Sequence, residues 1–259
     1  MSLQNHDQAT AFRAMHQGAE LLVLPNAWDA ASAVAIERAG AKAIATTSAG
    51  IAQSLGYPDG NVLTRELAVA AVARIARVVQ VPVSADIEEG YGETPEEVCR
   101  TVEQILEAGA VGINLEDGSK PPALLAAKIA AIRKRAEQLG ASLFINARTD
   151  VYLLGVEKHP LVETLKRAAL YREAGADGLF VPRLKDPDSI RRVCAEAGLP
   201  VNLLAVPGIA SPRELSALGV RRLSVGHWIA KAATSFTERC ARALLAEGRY
   251  DDFIPAPTN

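Results

Sequence analysis

Short runs of Val, Ile, Leu and Ala alternate along this chain with longer stretches in which apolar residues return every three or four positions. The short runs cover residues 21–25, 43–48, 81–88, 110–117, 143–150, 178–182, 201–206 and 222–226, and they predict eight strands. They read as apolar throughout rather than alternating, the pattern of parallel strands covered on both faces. A helical period runs over 28–39, 65–79, 95–108, 122–139, 161–174, 187–197, 212–218 and 228–247.

Boundary signals repeat with the same rhythm. Ala39-Gly40-Ala41, Ala108-Gly109-Ala110, Ala174-Gly175-Ala176, Ala197-Gly198 and Leu218-Gly219 each put a glycine where a helix C-terminus needs a positive φ, shortly before a strand. Thr94-Pro95, Asp186-Pro187 and Ser211-Pro212 put a capping side chain ahead of Pro at the first helical position. One αβ turn used repeatedly predicts a closed (β/α)8 TIM-type barrel. No Gly-x-Gly-x-x-Gly loop opens a helix, which argues against an open dinucleotide-binding sheet. The 259 residues, 49% of them hydrophobic, are read as one α/β-barrel domain over 1–259 with a helical segment at about 228–259.

The net charge of −2 leaves no basic excess to recruit nucleic acid or a membrane surface. Cys99, Cys194 and Cys240 lie far apart with neither metal nor redox spacing, which fits a reducing compartment. Residues 1–14 are polar without a signal core, and no apolar stretch approaches the ~20 residues of a membrane span. The expected location is the cytoplasm.

In such a barrel the chemistry sits at the C-terminal ends of the strands, and acids stand at those ends. Asp86-Ile87-Glu88 puts two carboxylates at i and i+2, on one face of a strand, and Glu116 ends the run 111–115 in the same way. Oxygen ligands of this kind suit Mg²⁺, which keeps several waters, and suit Mn²⁺ equally. The competing reading of Asp86, Glu88 and Glu89 is a solvated turn before Gly90, which suits Glu89 better than Asp86 after its apolar run 81–83, while Asp117 either orients a neighbour or caps the following loop. Arg148, followed by Thr149-Asp150, reads as a clamp on a substrate carboxylate or phosphonate, or as a structural ion pair with Asp150. Thr46-Thr47-Ser48-Ala49-Gly50 either turns N–H groups and a hydroxyl toward an anion or forms an ordinary Ser/Thr turn. Asp59 sits in Pro58-Asp59-Gly60, a simple β-turn pattern. Arg183 and Asn202 also fall at or near strand ends. Of the four histidines only His227 is placed to face such a site, and no Ser/His/Asp triad or histidine-rich zinc pattern is present.

Taken together, Leu24-Pro25-Asn26-Ala27-Trp28-Asp29, Thr47-Ser48-Ala49-Gly50, Tyr57-Pro58-Asp59-Gly60, Ala85-Asp86-Ile87-Glu88, Asn114-Leu115-Glu116-Asp117, Asn146-Ala147-Arg148-Thr149-Asp150 and Ser224-Val225-Gly226-His227 resemble the isocitrate lyase/phosphoenolpyruvate mutase superfamily over nearly the whole chain. The resemblance implies a barrel whose last helix is exchanged between subunits of a homodimer or homotetramer. It implies Mg²⁺ (or Mn²⁺) as cofactor and a small 2-oxo or dicarboxylic acid as substrate. By the same resemblance Ser48, Ala49, Gly50, Arg148 and Asn202 bind the substrate, and Asp86 anchors the metal. Glu88, Glu116 and Asp59 act mainly through metal-bound water, and Arg148, Asp59 and Glu116 take part in catalysis. The shared chemistry is cleavage or rearrangement beside a carbonyl through a metal-stabilised enolate.

Two departures bear on the reaction. The lyases of the superfamily carry a Lys-Lys-Cys-Gly-His or Lys-Arg-Cys-Gly-His loop after the fourth strand, whose Cys is the acid/base; this chain has Glu116-Asp117-Gly118-Ser119-Lys120-Pro121-Pro122 there. The phosphonate enzymes use a longer lid with Lys and Asn, for which Lys120 is the one candidate here. The expected function is a Mg²⁺-dependent C–C lyase or decarboxylase of a small 2-oxo or 2-hydroxy acid, since loss of CO₂ from an acid such as oxaloacetate needs no acid at the lid. Two alternatives stand beside it. One is P–C chemistry, phosphonopyruvate hydrolysis or phosphoenolpyruvate rearrangement, with Lys120 or Arg183 as the cation. The other is binding of a 2-oxo acid without catalysis.

Overall fold

The computed structural model describes residues 3–60, 62–155, 157–250 and 253–254, so residues 251–252 and 255–259 of the expected C-terminal segment lie outside the described residues. In chain order the elements are α1 (Leu3–Met15), β1 (Leu22–Leu24), β2 (Asn26–Ala27), α2 (Ala30–Arg38), β3 (Ile44–Thr46), α3 (Ser48–Ser54) and α4 (Arg65–Ala76). Then follow β4 (Val83–Asp86), α5 (Pro95–Glu107), β5 (Gly112–Glu116), α6 (Pro122–Gln138), β6 (Phe144–Arg148), α7 (Val151–Leu154) and α8 (Pro160–Glu173). The chain continues with β7 (Gly178–Val181), α9 (Pro187–Glu196), β8 (Val201–Leu204), α10 (Pro212–Ala217), β9 (Arg222–Ser224) and α11 (Trp228–Glu247).

The strands lie in the order β1-β9-β8-β7-β6-β5-β4-β3-β2, and every pair is parallel. β1 and β2 are one barrel position cut at Pro25, whose nitrogen has no hydrogen to give to a ladder. Below the cut β1 pairs with β9, and above it β2 pairs with β3. The result is the expected (β/α)8 barrel, with the first of its eight strand positions in two pieces.

Asn26 closes the seam at this break. Its buried Oδ1 accepts from the Val225 and Gly226 N–H groups, both at 2.9 Å, and its Nδ2 donates to the Thr46 carbonyl at 2.7 Å. Asn26→Leu removes all three bonds and leaves backbone groups of two strand ends unpaired. We expect it to cost about 2–4 kcal/mol in chemical denaturation; a loss below about 0.5 kcal/mol would show that the seam does not depend on this amide.

The predicted boundaries hold for physical reasons. Gly40, Gly109, Gly175, Gly198 and Gly219 all have positive φ. Thr94 and Ser211 form capping boxes with Glu97 and Glu214, and Asp186 accepts from the Ser189 N–H. Outward side chains such as Ile113, Leu115, Ile145 and Leu179 pack against Ile75, Ile105, Ile129 and Val193 of the helices in one continuous core.

The strands depart from the all-apolar expectation on their inner face. Ser84, Asn114, Asn146, Asn202, Arg222 and Ser224 are all buried and alternate with the outward apolar positions. Arg222 on β9 donates to Asn114 on β5, and because these strands are not neighbours the bond must cross the barrel interior. Beneath this layer α1 closes the lower end of the barrel with Phe12, set edge-on to Phe144 at 5.5 Å. Gly112 makes room for it, since a Cβ there would come within 2.8 Å of Phe12 Cε1. His16 stacks on Phe144 at 4.0 Å. Burial, then the Arg222 charge, pushes its pKa down to about 3, so it is neutral.

α11 lies almost wholly at the surface and displays Phe236, Leu244 and Leu245, the last 85% exposed. Among the described residues no helix is long and apolar enough to cross a membrane.

Candidate active site

The C-terminal ends of the strands surround a cavity of about 230 Å³ lined by Ser48, Asp59, Asp86, Asn114, Arg148 and Arg183 among others. A larger groove of about 910 Å³ lies between α1, α2 and β1, but its charged lining is one exposed pair, Glu20 and Lys42, 3.7 Å apart. The acids place the chemistry in the smaller cavity.

Each wall follows from local sequence. Thr47, extended at φ −127°, caps α3, so Ser48 and Ala49 stand in the first turn of that helix and line the cavity. The Ser48 N–H and hydroxyl donate to Asp86 Oδ2 at 3.2 and 2.8 Å. Asp86 lines the cavity, and its Oδ1 makes no hydrogen bond to any described residue. Glu88 follows with φ +50° and takes the Tyr91 hydroxyl at 3.3 Å. Glu88, Tyr91 and Arg183 are the non-glycine residues with positive φ among those described, and all three sit in loops at strand ends. Backbone strain of this kind collects where a site over-determines the chain.

Arg148 sits between two acids. Its Nη1 is 2.6 Å from Glu116 Oε2, close but not aligned as a hydrogen bond, while Nε and Nη2 grip both oxygens of Asp150 at 2.7 and 3.0 Å. The structural ion pair weighed for Arg148 is therefore present, and its guanidinium still lines the cavity above Phe180. Asp117 is the orienting residue of this group. It accepts from the Asp150 N–H at 2.9 Å, from Arg167 at 2.9 Å and from the Tyr171 hydroxyl at 2.6 Å, which ties the strand ends to α8. Burial raises the Glu116 carboxyl to about 8, helped by Asp86, Asp150 and Glu88 against the opposing pull of Arg148. The Asp150 carboxyl also moves up, by burial first. Carboxylates outnumber cations here, which is a site short of positive charge.

The predicted site residues divide accordingly. Ser48, Ala49, Asp59, Asp86 and Arg148 line the cavity, Asp59 from the exposed loop after α3. Glu88 and Glu116 stand behind the lining, close enough to act on each other electrostatically. Gly50 differs from expectation: its N–H turns back to Thr47 Oγ1 at 3.4 Å within the cap rather than into the cavity. Asn202 is 1% exposed and lies one layer below the lining, bonded to Ser224. His227 does line the cavity, stacked on Trp228. Lys120 does not, whereas Arg183 does, and Arg183 has no hydrogen bond or ion pair with any described residue. No cysteine lines the cavity. The connection from β5 to α6 is only residues 117–121, the short lid that the sequence predicts.

The sequence pattern of the phosphoenolpyruvate phosphomutase family matches residues 12–245, a span that holds every strand of the barrel. The chain belongs to that family. A 2,3-dimethylmalate lyase, itself a member of the PEP mutase/isocitrate lyase superfamily, superposes with a TM-score of 0.86 at 26% identity, covering 96% of this chain and 92% of its own. A phosphonopyruvate hydrolase solved with oxalate and Mg²⁺ gives 0.84 at 25% identity over 96% and 92%. An uncharacterized protein of Mycobacterium tuberculosis (strain ATCC 25618 / H37Rv) is 41% identical over 90% of this chain and 88% of its own. The oxaloacetate decarboxylase of Pseudomonas entomophila (strain L48) is 31% identical over 92% and 85%. The phosphoenolpyruvate phosphomutase family and its superfamily thus hold lyases, a decarboxylase, a hydrolase and mutases of small acids.

The donors of this family member fit a hydrated divalent cation. Among the described residues no three His, Cys, Asp or Glu side chains converge as a direct ligand cage. Mg²⁺ does not require one, because it binds through one or two carboxylates and keeps its waters. Asp86 offers an unpartnered oxygen, and Glu88 and Glu116 stand behind it. Sequence reasoning passed over Asn114 as a lining residue. A signal for it exists: Asn114, Asn146 and Ser84 each precede a site residue (Glu116, Arg148 and Asp86) by two positions, on the same strand face.

Proposed function

We propose that this protein is a Mg²⁺-dependent decarboxylase of oxaloacetate or a close 2-oxo dicarboxylate. The observation that carries this reading is the pairing, in one small cavity, of an unpartnered Asp86 oxygen with an unpaired Arg183 guanidinium, and no thiol beside them. Asp86, with Glu88, Glu116 and Asp59 near it, would hold the cation, which when bound would supply Lewis-acid withdrawal of electrons from the 2-oxo oxygen. Arg148 and Arg183 bind the two carboxylates, with Ala49 of the first turn of α3 beside one of them, while the Ser48 N–H and hydroxyl hold Asp86 in place. Phe180 and Trp228 exclude water from one side. The bond from C3 to its carboxylate breaks, CO₂ leaves, and the electron pair stays on the three-carbon product. His227, at the cavity edge, delivers the proton that C3 then takes.

The unpaired Arg183 favours one second reading, because a phosphonate would meet the same cation. Incubation with Mg²⁺ and, separately, oxaloacetate, phosphonopyruvate and methylisocitrate, following pyruvate, tests both. We expect release from oxaloacetate and none from methylisocitrate, whose cleavage needs an acid at the lid. Release from phosphonopyruvate alone would replace the decarboxylase reading. Turnover of none, with oxalate still raising the melting temperature, would make the protein a binder.

We further propose that residues 1–259 act as one barrel domain and that α11 packs on a second copy in a homodimer or homotetramer. The exposed apolar side chains Phe236, Leu244 and Leu245 support this.

A further inference from the structure

Arg222 is wholly buried inside the barrel and forms no ion pair with any described residue. A guanidinium carries only donors, so every polar atom it touches must accept. The oxygen and nitrogen of an Asn side chain are usually told apart only by their surroundings; here the arginine decides. Its Nη2 lies 3.3 Å from Asn114 Oδ1, which also takes the Asn146 Nδ2 at 2.9 Å. Both lone pairs of that oxygen are then filled, one from the neighbouring strand and one from across the barrel. The Nδ2 of Asn114 donates to no described residue, and Asn114 lines the cavity in register with Asp86. A second relay begins on the same cation. Arg222 Nε donates to Ser224 Oγ at 3.2 Å, and the Ser224 hydroxyl donates in turn to Asn202 Oδ1 at 3.2 Å. That leaves Asn202 Nδ2 a buried donor without a partner. Burial pushes the Arg222 pKa down to about 9, which still leaves it charged at neutral pH.

We propose that Asn114 binds an oxygen of the substrate acid through Nδ2, and that Arg222 is a positioning residue which fixes this donor polarity by filling Asn114 Oδ1. The inference rests on reading the cavity as an acid-binding site and adds to it a specificity element. With the amide reversed, the floor would offer an acceptor and repel carboxylate and carbonyl oxygens. With the amide locked, acidic walls and a donor floor admit a cation and an oxo acid together.

Calorimetric titration of the full chain with oxalate in Mg²⁺ measures this apart from turnover. Asn114→Asp exchanges the donor for an acceptor at nearly equal size and pairs with Arg222, so the fold survives. We expect it to weaken oxalate by about 10–100-fold, the worth of one hydrogen bond to a charged group. Arg222→Met is expected to weaken oxalate by a smaller factor and Arg222→Lys, still a pure donor, to recover most of the affinity, at melting temperatures recorded for each. A recovery that tracks affinity and not melting temperature separates positioning from mere stability. Should Arg222→Met not fold, the Asn114 side-chain ¹⁵N–H signal of the wild type is still expected to shift when oxalate is added. Asn114→Asp binding within about twofold of the wild type, or a wild type that binds no oxalate, overturns the proposal. A wild type that binds oxalate but releases no pyruvate from oxaloacetate overturns the decarboxylase reading instead, and loss of binding in Asn114→Asp then still supports the donor floor.

Discussion

Asp86→Asn is expected to abolish Mg²⁺-dependent release of pyruvate from oxaloacetate, by about 10³-fold or more, because Lewis-acid stabilisation is worth several kcal/mol of the barrier. The substitution is nearly isosteric and can still accept from the Ser48 N–H and hydroxyl, so α3 keeps its place. What it loses is the charge on the one oxygen of this carboxylate that no described residue occupies. Mg²⁺ titration by calorimetry should therefore show binding in the wild type and none in the variant, at little cost in melting temperature. The wild type should also release most of one proton per ion at pH 7, because Glu116, raised to about 8, holds its proton until a cation arrives. Equal turnover in Asp86→Asn would remove this residue from the metal site. Equal Mg²⁺ binding with lost turnover would move the ion to another carboxylate.

The second large effect concerns stability. Arg148→Met removes the cation between Glu116 and Asp150 and leaves both acids half-buried or buried with no partner of opposite charge at hand. Breaking such a pair from one side costs about 3–5 kcal/mol near neutrality. The pH dependence has a definite sign. In the folded chain the Glu116 carboxyl lies above its ordinary value of 4.5, at about 8, so between these pH values the unfolded chain holds fewer protons than the folded one. Stability therefore falls as pH rises through that window, already in the wild type and more steeply without Arg148. Urea denaturation at pH 5 and pH 8 should show a larger deficit for Arg148→Met at pH 8. A deficit that is equal at both, or larger at pH 5, would mean that Glu116 is ionised throughout.

Much of the barrel was legible because its signals are local. A glycine with positive φ at 40, 109, 175, 198 and 219, and a cap before Pro95, Pro187 and Pro212, announce element ends within a few residues. Asp86 and Glu116 were legible for the same reason, each closing an apolar run, whereas Asp59 reads locally as a β-turn and only the fold brings it to the cavity. What stayed hidden depends on partners far away in the chain. α1 reads as a polar terminus, and only its packing against Phe144 and Gly112 shows that Phe12 plugs the barrel. Asn114, Asn146, Asn202 and Ser224 look like interruptions of apolar strands until Arg222, 108 positions from Asn114, supplies their polarity. Gly50 was assigned an amide for the substrate, but the Thr47 cap takes that N–H first. Asn202 lies one layer deeper than a strand-end count suggests, because β8 runs two residues further to Leu204, which does reach the cavity.

Crystals grown with Mn²⁺ and oxalate, measured at a wavelength where manganese scatters anomalously, test the central claim most directly. The account predicts one anomalous peak beside Asp86 inside the cavity that Arg148, Arg183 and Asn114 line, with oxalate against it. A peak on another face of the barrel, or oxalate bound away from these residues, would contradict it.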